Sequence, residues 1–154
     1  MASRIGSVTV RELLTQPVVV NPLEHVSKAI GLLERAKAYE VFVAERNRLL
    51  GVVTIRDILK VSDITGAKIS ALATRMPHVI GKDTVSKAAR IMTEHRMRAV
   101  PVVENGRLVG QLTASSICDN LSRNGKLSLT ATTIMTPNPT SLQGDDSVAK
   151  ARTI

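Results

Sequence analysis

Two short stretches of the sequence carry polar side chains in a spacing that could bind an anion. The first is GVVTIRD, residues 51–57, and the second is GQLTASS, residues 110–116. In each, a threonine is followed three positions later by an acidic or hydroxyl side chain. Such a threonine caps a helix by accepting an N–H from the first turn. The same strand-to-helix turn also presents free N–H groups to an anion, so both interpretations are open.

The two stretches belong to a longer repeat with a constant offset, the one that separates Thr54 from Thr113. At the same offset the run VSKA of residues 26–29 recurs at 85–88. Self-similarity at a fixed period indicates one structural unit that is used more than once. The sequence therefore predicts two equivalent units, and a binding site in one of them has a counterpart in the other.

The sequence predicts the same order of elements in both units, a short helix followed by β-α-β-β-α. The helix after the first strand has apolar residues at the i, i+3, i+4, i+7 spacing of an amphipathic helix. A hairpin follows, and the Asn-Gly pair of the second unit is a strong hairpin signal. The closing helix starts at Thr54 or Thr113. It should end near Gly66 or Gly125, because glycine suits the left-handed position after a helix.

The expected architecture follows from what one unit leaves uncovered. A three-stranded sheet with two helices on one face has a second, bare apolar face. We therefore expect a mixed α/β (α+β) fold in which two β-α-β-β-α units pack together by pseudo-twofold symmetry. The units should span residues 8–66 and 67–126, with brief first strands at 18–20 and 78–80.

A third copy of the unit starts in the last part of the chain, over residues 127–154. It contains VAKA at 148–151 but no strands on which its apolar residues could pack. A terminal half-repeat cannot bury that face by itself. We expect this segment to be mobile or docked on a second chain, and the sequence to be the front part of a longer four-repeat protein. The residues that match core positions of the earlier copies are Ile134, Met135, Val148 and Ala151.

The charge balance favours anionic partners. Lys and Arg number 21 against 13 Asp and Glu, which gives a formal net charge of +8. The aromatic side chains are only Tyr39 and Phe42, so the chain has no stacking platform for single-stranded nucleic acid. RNA or DNA therefore remains an open but less favoured partner.

Cysteine usage and hydropathy limit the remaining classes. Cys118 is the single cysteine, so neither an intrachain disulfide nor a cysteine metal cluster can form. We expect it to be a small buried side chain of the second closing helix. The longest apolar runs are too short to cross a bilayer. We expect a cytoplasmic protein with no membrane partner.

The sequence contains none of the short motifs that carry catalysis. A P-loop, H-E-x-x-H, G-x-S-x-G and G-x-G-x-x-G are all absent. No neighbouring spacing makes His78 a metal ligand. We expect that the protein is not an enzyme and that it requires no cofactor or metal.

The repeat resembles the CBS domain, a family named after cystathionine beta-synthase and found in tandem pairs called Bateman modules. The stretch VPVVENGRLVGQLT, residues 100–113, looks like the family's two-strand hairpin. The stretch LLGVVTIRD, residues 49–57, looks like a hairpin strand followed by the family's G-h-x-T-x-x-D ligand signature. The resemblance covers two complete copies and the opening of a third.

The resemblance implies two pseudo-equivalent ligand sites between the paired repeats. In family members with bound nucleotide, the signature threonine meets a phosphate and the aspartate holds the ribose hydroxyls. Carried over, this gives Thr54 and Asp57 for the better site, with Arg98 on the phosphates. The walls around the adenine and the remaining contacts would be Val52, His78, Val79 and Met97.

The second site departs from the family pattern. It keeps Thr113 but has Ser116 where the ribose-binding aspartate is expected. Its other contacts would be Val18, Val19 and Tyr39. Glu40 follows them and disfavours a polyphosphate, which Arg56 could offset. We expect this site to be empty, weaker or suited to a less charged adenosine compound.

The resemblance thus implies a regulatory sensor that binds AMP, ADP, ATP or S-adenosylmethionine as a regulatory ligand. Two alternatives stay open, a ligand-free oligomerisation scaffold and a basic protein that contacts RNA or DNA. CBS pairs commonly associate into flat dimers, so a homodimer is expected. The effector protein or attached domain that reads the signal is unknown from the sequence.

Overall fold

The protein is described by a computed structural model that covers residues 7–124 and 130–153. The first repeat follows the predicted order, except that its opening helix is a 3-10 helix. Its elements are the 3-10 helix Val10–Leu13, β1 (Val19–Val20), α1 (Val26–Ala36), β2 (Glu40–Glu45), β3 (Arg48–Thr54) and α2 (Ile55–Ile58).

The second repeat has the same order of elements, and the last segment adds two short helices. The second repeat contains the 3-10 helix Ile69–Ala71, α3 (Val85–Glu94), β4 (Ala99–Glu104), β5 (Arg107–Thr113) and α4 (Ala114–Asn124). The last segment contains α5 (Ala131–Ile134) and α6 (Val148–Thr153). The expected helix end at Gly125 and the start of the third copy at 127–129 lie outside the described residues.

The mixed α/β fold is as expected, and one predicted strand is reduced to a single pairing. In the first sheet β1 runs parallel to β2, and β2 pairs antiparallel with β3. The second sheet contains β4 and β5 alone. The strand expected at 78–80 is one parallel bridge between Val79 and Val102. It is equivalent, at the repeat offset, to the Val20–Val43 pair of the first repeat.

The two hairpins turn through left-handed backbone at both central residues. These residues are Arg46 and Asn47 in the first hairpin, and Asn105 and Gly106 in the second. Positive φ at both positions gives a turn whose twist matches that of the strands. The Asn-Gly signal in the sequence is thereby confirmed.

The two repeats exchange their first segments. Val10, from the start of the first repeat, is fully buried in the hydrophobic core of the second. Ile69, its equivalent at the repeat offset, is fully buried in the core of the first repeat. The unit that folds together is therefore not the continuous segment that repeats in the sequence.

Paired backbone bridges accompany this exchange. Thr15 bridges to Gln111, and its equivalent Thr74 bridges to Val52, the equivalent of Gln111. Each bridge has two N–H···O bonds of 2.8 to 3.0 Å. The reciprocal pairing provides the pseudo-twofold symmetry, and a third apolar cluster fills the space between the sheets. That cluster contains Phe42, Ala44, Val52, Met97, Ala99, Val103 and Leu108.

The closing helix of the first repeat is much shorter than predicted. α2 ends at Ile58, whereas the sequence suggested an end near Gly66. The reason is a local turn around Asp63, whose Oδ1 accepts N–H bonds from Thr65 and Gly66 and the Thr65 hydroxyl. Side-chain bonds of this kind compete with helical backbone pairing. The equivalent helix α4 continues to Asn124.

Two other expectations concern the second half of the chain. Cys118 is exposed on α4, so the prediction of a buried thiol is wrong. In the last segment Ile134 and Val148 are 71% and 79% exposed, and Met135 and Ala151 are exposed as well. Docking of this segment on a second chain stays a prediction. Among the described helices, none has the length and apolar character needed to span a membrane.

Candidate functional site

Two clefts lie between the repeats and are related by the pseudo-twofold symmetry. Cleft 1 has a volume of about 410 Å³ and cleft 2 about 650 Å³. Each combines the strand-to-helix junction of one repeat with the opening segment of the other. Cleft 1 is lined by Val52, Thr54, Arg56, Asp57, Leu59, Lys60, Thr74, Arg75, Met76, His95 and Met97. Cleft 2 is lined by Thr15, Val18, Ala36, Lys37, Ala38, Tyr39, Glu40, Arg98, Ala99, Gln111, Thr113, Ala114, Ser115, Cys118 and Asp119.

Thr54 and Asp57 form a reciprocal cap at the start of α2. The Asp57 Oδ2 atom accepts from the Thr54 N–H at 2.9 Å and from the Thr54 hydroxyl at 2.7 Å. The Asp57 N–H donates to Thr54 Oγ1 at 3.3 Å. The other carboxylate oxygen, Oδ1, has Lys60 Nζ at 3.9 Å. The cap therefore occupies one oxygen of Asp57, and the second faces a flexible lysine beside the cleft.

The opposite wall of cleft 1 comes from the opening segment of the second repeat. The bridge between Val52 and Thr74 holds this segment against the edge of β3. Gly51 makes the close approach possible, because a Cβ there would lie 2.8 Å from the Thr74 carbonyl oxygen. Met76 is brought into the cleft in this way, and Met97 reaches it from the start of β4.

Cleft 1 is electropositive. Arg56, Lys60 and Arg75 line it against the single carboxylate of Asp57. The Arg56 guanidinium donates to the carbonyl oxygen of Arg96 at 2.6 Å, which fixes it at the cleft rim. Cations around a small apolar floor suit a ligand that is part apolar and part anionic.

In cleft 2 an arginine side chain stacks on a tyrosine ring. The Arg98 guanidinium lies 3.9 Å from the centroid of the Tyr39 ring. Tyr39 and Arg98 are equivalent positions in the two repeats, so the stack spans the pseudo-twofold axis. This cation–π contact holds Arg98 on the cleft 2 side of the axis.

Glu40 gives cleft 2 a buried carboxylate. Its side chain accepts the Arg98 N–H at 2.8 Å, and the residue is only 4% exposed. Burial raises the pKa of the Glu40 carboxyl, and the Arg98 N–H bond and the charges of Arg98 and Arg56 oppose the rise. With Lys37 and Arg98 facing Glu40 and Asp119, the two signs of charge balance in this cleft.

Several predicted site residues lie where the sequence suggested. Val52, Thr54, Asp57 and Met97 line cleft 1. Val18, Tyr39 and Thr113 line cleft 2. Their contact with a ligand stays a prediction, but each set converges on one cavity.

Three residues predicted for the better site lie elsewhere. Val79 is fully buried in the core of the second repeat, where its backbone bridges to Val102. His78 lines a separate groove beside cleft 1. Arg98 stacks on Tyr39 and lines cleft 2, and it is not among the residues that line cleft 1, so its predicted contact with a phosphate there stays a prediction that this placement does not favour.

Three residues predicted for the second site are not among the residues that line cleft 2. Arg56 lines cleft 1. Val19 lies in β1 opposite Phe42 and is not among the residues that line cleft 2. Ser116 caps α4, since its N–H donates to Thr113 Oγ1 at 3.0 Å and its hydroxyl to the Thr113 carbonyl at 2.9 Å.

Sequence reasoning missed the cation and the methionine of the opposite wall, Arg75 and Met76. A signal for them existed, because Thr74 aligns with Thr15 and the following positions differ between the repeats, Gln16 against Arg75. Their place in cleft 1 depends on the exchange of first segments, which the repeat alignment alone does not reveal. Within residues 7–124 and 130–153, no cluster of three or more His, Cys, Asp or Glu side chains could hold a metal ion.

Comparison with known proteins agrees with the repeat and the fold. The family model of the CBS domain matches residues 5–64 and 69–123. A solved structure of the CBS domain protein PAE2072 from Pyrobaculum aerophilum, complexed with AMP, is 29% identical with a TM-score of 0.66. The match covers 72% of this chain and 91% of that one.

Two curated relatives are considerably longer than this chain. An uncharacterized protein of Methanocaldococcus jannaschii, MJ1404, is 30% identical over 152 residues, which is 94% of this chain and 36% of the relative. The inosine-5'-monophosphate dehydrogenase of Staphylococcus haemolyticus is 31% identical over 110 residues, 68% of this chain and 22% of the enzyme. The chain thus spans about a third or less of these relatives.

Proposed function

The chain belongs to the CBS-domain family, and we propose that it is a regulatory module that binds an adenosine-containing ligand in cleft 1. The observation that supports this best is the convergence of Thr54 and Asp57 with Arg75, Met76 and Met97 from the other repeat. A carboxylate, a cationic rim and an apolar floor are the groups that a ribose, a phosphate and a purine need. The 29% identical protein from Pyrobaculum aerophilum that is complexed with AMP supports the choice of adenosine.

The proposed binding mode follows from the groups that the cap leaves available. The ribose hydroxyls donate to Asp57, whose Oδ1 accepts no hydrogen bond within the described part of the chain. The purine lies against Val52, Met76 and Met97. The first phosphate meets Arg75 and Lys60, the two cations that line cleft 1 near Asp57.

Cleft 2 is proposed as the weaker site. Ser116 replaces the ribose-binding carboxylate and is committed to the helix cap. Glu40 and Asp119 cancel the charges of Lys37 and Arg98, which removes the attraction for phosphate. A less charged adenosine compound fits this balance better than ATP does.

Regulation requires a second partner that distinguishes the liganded from the free state. We propose that the ligand acts by closing the two repeats on each other, since both contribute to cleft 1.

We also propose a homodimer. An apolar groove between α1 and α2 supports it, because α2 ends at Ile58 and leaves Leu59 61% exposed. Light scattering on the purified chain should then give twice the chain mass.

A thermal-shift and calorimetry series tests the proposal. AMP, ADP, ATP, S-adenosylmethionine, GMP and a short oligonucleotide are compared at equal concentration. A ligand that binds only the folded state raises the melting temperature, and a hundredfold excess over Kd adds about 2.7 kcal/mol of stability. We expect a shift with AMP that exceeds the shift with GMP. No response to any adenosine compound would favour the scaffold, and a response to the oligonucleotide alone would favour nucleic acid binding.

A further inference from the structure

A buried side-chain amide lines cleft 2. Gln111 lies in β5 and is only 8% exposed. Its backbone bridges to Thr15, and its carbonyl oxygen also accepts the Thr15 hydroxyl at 3.1 Å. In the described part of the chain, the side-chain amide of Gln111 forms no hydrogen bond. A buried amide without a partner lowers stability unless a ligand or a water molecule satisfies it.

The amide of Gln111 opens into the cavity. Among the described residues that are not exposed, the one side-chain nitrogen or oxygen that is both enclosed and unpartnered is His25 Nδ1, at the start of α1. The amide oxygen and nitrogen of Gln111 therefore retain access to cleft 2, which the residue lines. The oxygen can accept hydrogen bonds from a ligand, and the nitrogen can donate two.

The fold does not require an amide at this position. The equivalent residue of the first repeat is Val52, which is 4% exposed and lines cleft 1. Val52 forms the same backbone bridge, to Thr74 in place of Thr15. A valine side chain is thus compatible with both the bridge and the burial. The hydrogen-bonding capacity of Gln111 is specific to the side of the molecule that carries cleft 2.

The other polar groups around this part of cleft 2 are engaged with the protein. The Arg98 guanidinium stacks on Tyr39, and the Glu40 side chain accepts the Arg98 N–H. Ser116 is bonded within the cap of α4. The amide of Gln111 differs from them because it is uncharged and unpaired. It is therefore suited to bind an uncharged part of a ligand.

We infer that Gln111 determines the specificity of cleft 2 by binding a hydrogen-bond donor and an acceptor that lie side by side on the ligand. The inference rests on the proposed function, in which cleft 2 is the weaker site for an adenosine compound. In adenine, the N6 amine donates to the amide oxygen, and the adjacent ring nitrogen accepts from the amide nitrogen. Val52 forms no such bonds in cleft 1. A site built on hydrogen bonds rejects a ligand that lacks the matching group more strongly than an apolar site does.

The experiment is a calorimetric titration with adenosine and two analogues. Purine riboside lacks the N6 amine, and N6,N6-dimethyladenosine has an amine that cannot donate. The wild-type chain reports on both clefts, and Asp57→Asn isolates cleft 2, because it weakens cleft 1 and keeps an oxygen for the cap of α2. The Asp57→Asn chain is compared with the same chain that also carries Gln111→Val, the residue of the first repeat. The matched control carries Gln16→Val, which removes an exposed amide next to Thr15.

We expect the Asp57→Asn chain to bind adenosine at least about tenfold more tightly than either analogue, because the analogues leave the amide unpaired. Adding Gln111→Val should reduce this preference to within about twofold, as expected for an apolar site. Adding Gln16→Val should leave the preference unchanged. Without ligand, Gln111→Val should raise the melting temperature, since it replaces an unpaired buried amide by an apolar side chain.

The outcomes separate this inference from the proposed function. If adenosine and the analogues bind alike, or if Gln111→Val keeps the preference, the amide does not select the ligand while cleft 1 remains the proposed site. If Asp57→Asn abolishes all binding, cleft 2 takes no adenosine compound and the inference fails alone. If the wild-type chain binds no adenosine compound, both proposals fail. A lower melting temperature of Gln111→Val would give the amide a structural role instead.

Discussion

The two clefts share one backbone and differ in their side chains. The bridge between Val52 and Thr74 in cleft 1 has the same hydrogen bonds as the bridge between Gln111 and Thr15 in cleft 2. Around these bridges, cleft 1 gathers three cations beside one carboxylate, whereas cleft 2 gathers a buried carboxylate. The fold therefore supplies two equivalent cavities, and the side chains decide which of them suits a phosphate.

The two clefts also differ in how far their polar groups are already paired within the protein. In cleft 2 the Arg98 guanidinium is held by the ring of Tyr39, and Glu40 is held by the Arg98 N–H. In cleft 1 the carboxylate of Asp57 accepts hydrogen bonds only within the helix cap, as far as the structure describes the chain. Polar groups that are already paired gain less from a ligand than groups that are free. This difference supports the proposal that cleft 1 is the better ligand site.

The largest effect should come from the glycines beside the two bridges. In Gly51→Ala the new Cβ meets the backbone of Thr74, whereas in Gly110→Ala it meets the Leu14 side chain, which can rotate. Overpacking against rigid backbone costs about 1–3 kcal/mol. We expect Gly51→Ala to lose about 2 kcal/mol of unfolding free energy in urea titrations, and Gly110→Ala less than half as much. Equal losses would show that the two bridges are equally rigid.

The next effect concerns Asp57, the carboxylate that we propose binds the ribose. Asp57→Ala should lower AMP affinity at least about tenfold in calorimetry, because a hydrogen bond to a charged group is lost. Ser116→Ala, the equivalent change in cleft 2, should leave AMP affinity unchanged. Asp57→Asn keeps an oxygen for the helix cap, so a loss of affinity without a loss of stability separates the ligand role from the cap. Equal effects of Asp57→Ala and Ser116→Ala would contradict the ranking of the clefts.

A third test uses the buried carboxylate of cleft 2. Burial raises the pKa of Glu40 in the folded state above its pKa in the unfolded state. The free energy of unfolding therefore falls as the pH rises from the unfolded-state pKa through the folded-state pKa, because the folded state resists the ionisation. Glu40→Gln keeps an acceptor for the Arg98 N–H and does not titrate. Urea unfolding should therefore show the variant gaining stability relative to wild type between acidic and neutral pH. A relative loss would mean that attraction to Arg98 and Arg56 outweighs burial.

The smallest effect should come from the stacked arginine. Arg98→Ala removes a partly exposed cation–π contact, which is worth about 0.5–1 kcal/mol of unfolding free energy. AMP binding in cleft 1 should stay within about twofold of wild type, since Arg98 lines only cleft 2. Arg75→Ala is the matched comparison and should weaken AMP. A strong loss of AMP in Arg98→Ala would reverse the assignment of the clefts.

The sequence by itself determined the repeat and the local structure. The constant offset between the repeats is visible in the sequence alone, and the Asn-Gly hairpin and the Thr54–Asp57 cap are patterns in which neighbouring residues act on one another. Local interactions of this kind can be predicted from sequence because the chain supplies both partners within a few positions. The early end of α2 was not predicted from the sequence. Its cause is local as well, because the turn around Asp63 competes with helical pairing before Gly66 is reached.

The tertiary structure alone decided which residues share a cleft. The repeats exchange their first segments, so Val10 and Ile69 each complete the core of the other repeat. This exchange brings Arg75 to cleft 1, and the stack on Tyr39 draws Arg98 into cleft 2. A repeat alignment relates equivalent positions but does not say which repeat faces which. That choice is made when the two uncovered sheets bury their apolar faces against each other, and it depends on contacts between residues far apart in the chain.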